Sequence, residues 1–286
     1  MRSVGTRRGL RRSAGQLAGL LVGALVGAQV GAQVGALVGA LVTVLLPGTP
    51  TGDPAPPPTA VAALADLAAH GIDPDAPADT DGKCTDEAAT WLATGWPGTV
   101  HWGLGTAGIP AYLGSTDAVR DVVRRAAGNV DVGHNACGLP ENLGASAQFD
   151  GDTTRRAAVH PDGSCGRRDG HNVVSFGRLP SGVLALTCLW WEPGRSGGDG
   201  RTVEADVLVN DTPGRFALSP PDDCLQRWDL ESALTHEFGH VFGLGHVSAA
   251  RHPGLTMGDT LPPCDVSHRA LGLGDLRMLQ AHYGTG

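Results

Sequence analysis

The feature that most constrains this chain is residues 234–246, which read LTHEFGHVFGLGH. On a helix, His236 and His240 lie one turn apart and project to the same side. Gly243 lets the chain leave the helix through a left-handed conformation, and the following turn brings His246 back toward the other two histidines. Three imidazoles with this spacing predict a Zn²⁺ site that keeps its fourth position open.

Glu237 directly follows the first predicted ligand, so its carboxylate can reach a zinc-bound water more easily than it can reach the metal. Three neutral histidines leave the ion its full charge, which lowers the pKa of that water toward roughly 7. Glu237 is therefore the predicted general base of a metal-assisted hydrolysis. Asp229 is predicted to cap the helix, and the apolar stripe faces the core.

Two further segments strengthen the interpretation. The pattern H-E-x-x-H-x-x-G-x-x-H resembles the signature of the metzincin metalloproteases, and Leu255-Thr256-Met257 resembles their Met-turn. The helix sequence THEFGHVFGLGHV and the later LGLGDLRMLQAHYG are most similar to the matrixin family. The resemblance covers about residues 83–286 and implies an α+β catalytic domain: a mixed twisted sheet, an active-site helix, a second long helix and a C-terminal helix. It also implies that Met257 lies beneath the metal.

The same resemblance assigns roles to two apolar runs. Residues 183–191 (VLALTCLWW) would be an edge strand lining the cleft, with Leu184, Ala185 and Leu186 beside the substrate, and residues 203–210 would be its inner neighbour. An extended polypeptide would pair with that edge through main-chain hydrogen bonds. The implied activity is a zinc-dependent endopeptidase. A non-catalytic zinc-holding binding module and a small-peptide or cell-wall peptidase are the alternatives.

Departures from the matrixin pattern bear on latency and on further metals. Residues 137–141 (CGLPE) look like a latency cysteine motif, but they follow the first predicted strand and helix, which favours a disulfide. His160, Asp162 and His171 could in principle hold a second metal, although the family spacing is not evident. The resemblance would also allow Ca²⁺, for which no calcium-loop spacing is readable.

The six cysteines contain no C-x-x-C pair, so three disulfides and an oxidising compartment are predicted. The pairing stays open among fifteen connectivities, with a preference for Cys224 with Cys264. That bridge would tie the segment before the zinc helix to the segment after the Met-turn.

The N-terminal residues and the net charge indicate where the protein is located and which partners it has. Five arginines in the first twelve residues precede an uncharged stretch, so residues 1–46 are predicted to be a signal peptide or an N-terminal membrane anchor. Residues 47–82 are rich in Pro, Ala and Asp and are predicted to be a linker or a short pro-segment. The domain beyond would lie outside the cell. A net charge of −8 argues against nucleic acid as a partner. We expect a monomer that acts on polypeptides and meets the membrane only through its N-terminal segment.

Local patterns predict the remaining elements. Strands are predicted at 99–104, 171–176, 183–191 and 203–210 from apolar alternation or apolar runs bounded by turn residues. Helices are predicted at 116–127 with Thr116 as its N-cap, at 229–242 and at 274–283. Strands that cluster between helices favour an α+β layer architecture.

Overall fold

The computed structural model describes residues 59–66, 82–195, 198–220, 224 and 226–286, and for Thr59–Asp66 it describes the backbone. The predicted signal or anchor at 1–46 lies outside the described residues, as does most of the predicted linker. Within the described ranges, no helix combines the length and the hydropathy that crossing a membrane requires.

The domain is built on a mixed sheet, which in the described residues has eight strands, most of them paired in parallel. The strands of this sheet are β1 Thr59–Asp66, β3 Thr94–Gly95, β4 Val100–Gly105, β5 Ala147–Thr153, β6 Val173–Gly177, β7 Val183–Glu192, β8 Gly200–Asn210 and β12 Thr260–Leu261. Their order in the sheet is β12-β1-β7-β8-β6-β4-β5, with β3 beside β8. Short two-stranded pairs join β2 Thr90–Trp91 to β11 Leu244–Gly245, and β9 Phe216–Ala217 to β10 Trp228–Asp229.

Within the part of the chain that the structure describes, three α-helices pack with this sheet: α1 Thr116–Val132, α2 Leu230–Val241 and α3 Leu273–Tyr283. The predicted helices are therefore present, and α1 continues five residues beyond its predicted end. The predicted cap of α1 was wrong by one position. Ser115 has the extended backbone of an N-cap and accepts the N–H of Ala118, whereas Thr116 is the first helical residue.

The described helices and the mixed sheet share one core, which is compatible with the predicted α+β class. The main cluster joins the inner face of α1 (Val119, Val123, Ala126) to α2 and the sheet residues Trp102 and Phe176. A smaller cluster on the other side of β7 contains Leu186, Cys188 and Trp190. The four predicted strands lie within two or three residues of β4, β6, β7 and β8, while β5 was not predicted, because its alternation consists mostly of polar residues.

The structure differs from the sequence-based expectation at the cleft edge of the sheet. β7 was expected to have a free edge, but it pairs with β8 on one side and with β1 on the other, antiparallel in both cases. β1 comes from the predicted linker at 47–82. Its composition cannot support a fold by itself, but a strand that pairs with an existing edge needs only backbone groups to join it.

Three disulfides close the described domain and leave no free cysteine in it. They join Cys84 to Cys137, Cys165 to Cys188 and Cys224 to Cys264. The preferred Cys224–Cys264 pairing is confirmed, and Cys137 of the latency-like motif lies in a disulfide, as the position of that motif favoured. Bonds of this kind fit a chain that folds in an oxidising compartment.

Candidate metal centre

Helix α2 carries the candidate site and is buried along its whole length. Asp229 caps it as predicted, accepting the backbone N–H of Ser232 at 2.8 Å. The guanidinium of Arg269 binds both oxygens of the same carboxylate, at 2.8 and 2.6 Å. This fork ties the start of the helix to the segment that precedes α3, so the helix is anchored at the end that no histidine occupies.

The three predicted ligands come together. His236 and His240 project from adjacent turns of α2, and their Nε2 atoms lie 3.0 and 2.9 Å from Nε2 of His246. His236 and His240 are buried, whereas His246 is partly exposed, so the cluster opens toward solvent on the His246 side. The three imidazoles are close enough to share one ion and could hold a metal.

Backbone carbonyls set the orientation of two of these rings. His236 Nδ1 lies 2.7 Å from the carbonyl oxygen of Thr256, and His240 Nδ1 lies 2.7 Å from that of Leu244. A carbonyl only accepts, so both Nδ1 atoms carry the proton and both Nε2 atoms present a lone pair to the cluster.

The three histidines are in the neutral protonation state that binds a cation. Burial, together with the neighbouring imidazoles, holds the pKa of His236 and His240 well below the ordinary value. Burial also lowers the pKa of His246 to about 4, although part of its surface reaches solvent. Neutral imidazole is the form that binds metals, so near neutral pH no proton has to leave before an ion enters.

The turn after α2 follows the predicted route. Gly243 has φ +94°, and a Cβ at this position would lie 2.2 Å from the carbonyl oxygen of Thr94, so a side chain is excluded on two grounds. The next residues, β11, pair antiparallel with β2. The position of His246 is therefore set by a strand pair and not by the turn alone.

Met257 packs against helix α2, and its expected place beneath a metal stays a prediction. Its side chain is buried against Gly239, between the two helical histidines; a Cβ on Gly239 would lie only 2.4 Å from its sulfur. Asp275 on α3 supports the same segment, because its carboxylate accepts the backbone N–H of Thr256 at 2.8 Å. The loop that orients His236 thus rests on α3, a role for Asp275 that sequence reasoning missed.

Glu237 is buried beside the cluster and contacts β7. The hydroxyl of Thr187 on β7 lies 2.5 Å from Glu237 Oε2 and donates a hydrogen bond to the carboxylate. Thr187 was not predicted as a site residue. The only sequence signal was a polar residue inside the apolar run VLALTCLWW, where an inward-facing hydroxyl needs a partner.

The predicted cleft residues Leu184, Ala185 and Leu186 lie on the same strand, with their side chains buried. Because β7 is paired on both edges in this structure, contact of these residues with a substrate stays a prediction. In the described residues the only convergent group of metal-binding side chains is the histidine cluster, so His160, Asp162 and His171 do not form a second one there. Asp162 instead accepts hydrogen bonds from Ser164.

The residues present fit a metal ion. Three neutral nitrogen donors converge, two of them have a fixed tautomer, and a carboxylate lies next to them without belonging to the donor set. An ion bound at roughly 2.0 to 2.1 Å to tetrahedral donors separates them by about 3.3 Å, within a few tenths of an ångström of the spacings here.

Comparison with known proteins does not assign this arrangement to a family. No protein-family model matches the chain, and no curated protein matches it. The interpretation of the metal centre therefore depends on its own residues and on the motif that they form.

Proposed function

We propose that this chain is a zinc-dependent endopeptidase that acts outside the cell. His236, His240 and His246 hold the metal, and Glu237 is the general base. The observation that carries the proposal is the convergence of the three Nε2 atoms, with the buried Glu237 directly following His236 on the same helix. Three nitrogen donors with an open position are typical of catalytic zinc, whereas structural zinc sites are closed by a fourth protein ligand.

The chain's own residues supply the rest of the chemistry. A zinc ion in the cluster would polarise the peptide carbonyl and lower the pKa of water. Glu237 accepts the proton of the attacking water and then delivers it to the leaving amine. Thr187 donates a hydrogen bond to one carboxylate oxygen of Glu237 and so restrains the orientation of the carboxylate. The buried helix keeps bulk water away from the ligands on their inner side.

The matrixin resemblance supports peptide bonds as the substrate. It covers the helix motif, the Met-turn and the C-terminal helix, which are connected here by the hydrogen bonds of Thr256 with Asp275 and with His236. The three disulfides support a location outside the cytoplasm. The proposal therefore combines a hydrolytic metal centre with an exported polypeptidase.

A second candidate is a zinc-holding binding module without turnover. The observation that favours it is the pairing of β7 with β1, which leaves no free edge for a substrate. The contact between Thr187 and Glu237 favours catalysis, since a purely structural zinc site has no use for a carboxylate held beside it.

The test compares the full-length protein with Glu237→Gln, which keeps the shape of the side chain and removes its basicity. Glu192→Gln is the matched control, because Glu192 is an exposed residue of the same β7 and pairs with Arg201. Bound zinc and the hydrolysis of casein and short peptides are measured. We expect about one zinc per chain in all three proteins, and a roughly 10²- to 10⁴-fold slower hydrolysis only in Glu237→Gln.

Two results would contradict the proposal. Equal hydrolysis by Glu237→Gln and the wild type would remove Glu237 as the base. Unchanged zinc content after replacing His236 and His240 by Ala would show that the metal binds elsewhere.

A further inference from the structure

The edge of the sheet beside the metal centre is filled by a remote segment of the same chain. β1 runs antiparallel to β7 from Thr59 opposite Trp190 to Ala65 opposite Val183. At its end Ala65 and Asp66 run parallel to Thr260 and Leu261 of β12. β1 is therefore paired on both sides and is the only described strand between β7 and β12.

The position of β1 coincides with the metal centre. Ala62 is opposite Thr187, the residue whose hydroxyl contacts Glu237. Helix α2 also approaches β1 directly. On the other side, β12 follows Met257 by three residues, and the segment between them is hydrogen-bonded to Val247, the neighbour of His246. The strand thus passes the catalytic residues at the middle of its length.

The space that β1 fills has the width of one extended peptide. Neighbouring strands lie about 4.8 Å apart, so β7 and β12 are separated by roughly 10 Å with β1 between them. Without β1, each side would present unpaired backbone N–H and C=O groups to this gap. Such a gap selects an extended chain by its main chain, which suits an enzyme that cuts polypeptides.

We infer that Thr59–Asp66 is an inhibitory strand that occupies the substrate position of the proposed peptidase. The inference rests on the proposed function. The strand is covalently attached, so its effective concentration at β7 is on the order of millimolar and an incoming peptide competes poorly. The full chain therefore hydrolyses substrate only slowly until the segment is displaced or its connection to Gly82 is cut. Latency here depends on strand pairing and not on a cysteine, since Cys137 is bonded to Cys84.

The first test disrupts the strand in the full-length protein. In Val61→Pro/Ala62→Pro, at least one of two adjacent prolines removes an N–H that faces β7, because successive residues of a strand point their N–H groups to opposite edges. Thr49→Pro/Thr51→Pro is the matched control, with two prolines in the same segment outside β1. Bound zinc, casein hydrolysis and amide hydrogen exchange of residues 183–192 are measured for each protein.

We expect faster exchange in β7 and a rise in hydrolysis of about tenfold or more for the double variant in the strand, with the control equal to the wild type. Unchanged β7 exchange would overturn the seating of the strand. Faster exchange with hydrolysis already equal in the wild type would overturn inhibition. Faster exchange with zinc bound and no hydrolysis in any protein would refute the peptidase itself and the inhibition with it, while the seating of β1 would stand.

A second protein guards against misfolding of the proline variant. A recognition site for a specific protease is inserted between Asp75 and Ala76, and the chain is cut only after it has folded and bound zinc. Hydrolysis is expected to rise after the cut and to fall again when a synthetic peptide of residues 59–66 is added. An increase that the peptide does not reverse would overturn occupancy of the cleft by this strand.

Discussion

Gly239 and Met257 pack closely together next to the candidate metal centre, and replacing Gly239 with alanine tests this contact. The new Cβ would lie 2.4 Å from the sulfur and 3.1 Å from the terminal methyl of Met257. An ordinary van der Waals contact is about 3.5 to 4.0 Å, so the sulfur has to move by more than 1 Å inside a filled core. Overpacking of this kind costs about 1 to 3 kcal/mol.

Gly128 in α1 provides the matched control. It is also a glycine inside a helix, but a Cβ there meets no atom within 4 Å. Alanine is favoured over glycine in a helix by about 0.5 to 1 kcal/mol, and this gain applies at both sites. We therefore expect Gly128→Ala to raise the free energy of unfolding by that amount and Gly239→Ala to lie about 1 to 3 kcal/mol below it.

Urea unfolding of the disulfide-bonded, chelator-treated proteins measures this difference without a contribution from bound metal. A double-mutant cycle with Met257→Ala isolates the contact, because the new methyl at position 239 then enters space that the side chain has left. The double variant is expected to be more stable than the sum of the single changes. If Gly239→Ala is as stable as Gly128→Ala, the reasoning is refuted.

The remaining predictions concern the base, pH and the metal. Thr187→Val removes a hydrogen bond to the Glu237 carboxylate that is worth about 1.5 to 3 kcal/mol, so kcat/KM should fall about 10- to 100-fold. Thr187→Ser keeps the hydroxyl and should retain most of the rate. Equal rates for the two variants would show that the hydroxyl does not contribute to the rate. Burial raises the pKa of Asp206 from its ordinary 3.8 to about 7, despite hydrogen bonds from Ala158 and Val173. The folded chain therefore binds the extra proton between these values, and this group's contribution to stability is lost as pH rises from about 4 to about 7, by up to about 4 kcal/mol. Urea unfolding at pH 5 and pH 8 should show a smaller difference in Asp206→Asn, and an undiminished difference would assign the effect elsewhere. Chelation should lower the unfolding temperature, and returning zinc at about 1,000 times its Kd should restore about 4 kcal/mol; no recovery on titration would argue against metal binding to the folded state.

The local parts of the candidate site could be predicted from the sequence. The spacing of His236 and His240, the glycine at position 243 and the Asp229 cap all follow from helix geometry over a few residues. These features need no knowledge of where the rest of the chain runs. The return of His246 was predicted from its distance of six residues from His240, but its position also depends on the pairing of β11 with the remote β2.

The contacts between remote segments could not be predicted in the same way. Thr187 is fifty residues from Glu237, and the pairing of β1 with β7 joins segments more than a hundred residues apart. Nothing in the local pattern of residues 59–66 identifies β7 as their partner, because a strand pairs through backbone groups that every sequence shares. The pairing of Cys224 with Cys264 could be predicted because these cysteines lie on either side of helix α2 in the sequence, and the structure confirms it. No comparable sequence signal indicated the other two disulfides.

The sequence alone identified the three histidines that could hold a metal ion and the carboxylate that we propose as the base, because residue types and the pitch of one helix suggest these roles. The tertiary structure decided how those groups are held and whether a peptide can reach them. Asp275 supports the loop that orients His236, Thr187 holds Glu237, and β1 fills the edge beside them. Each of these three contacts joins segments that are remote in the sequence, and packing of the whole core sets the distance between those segments.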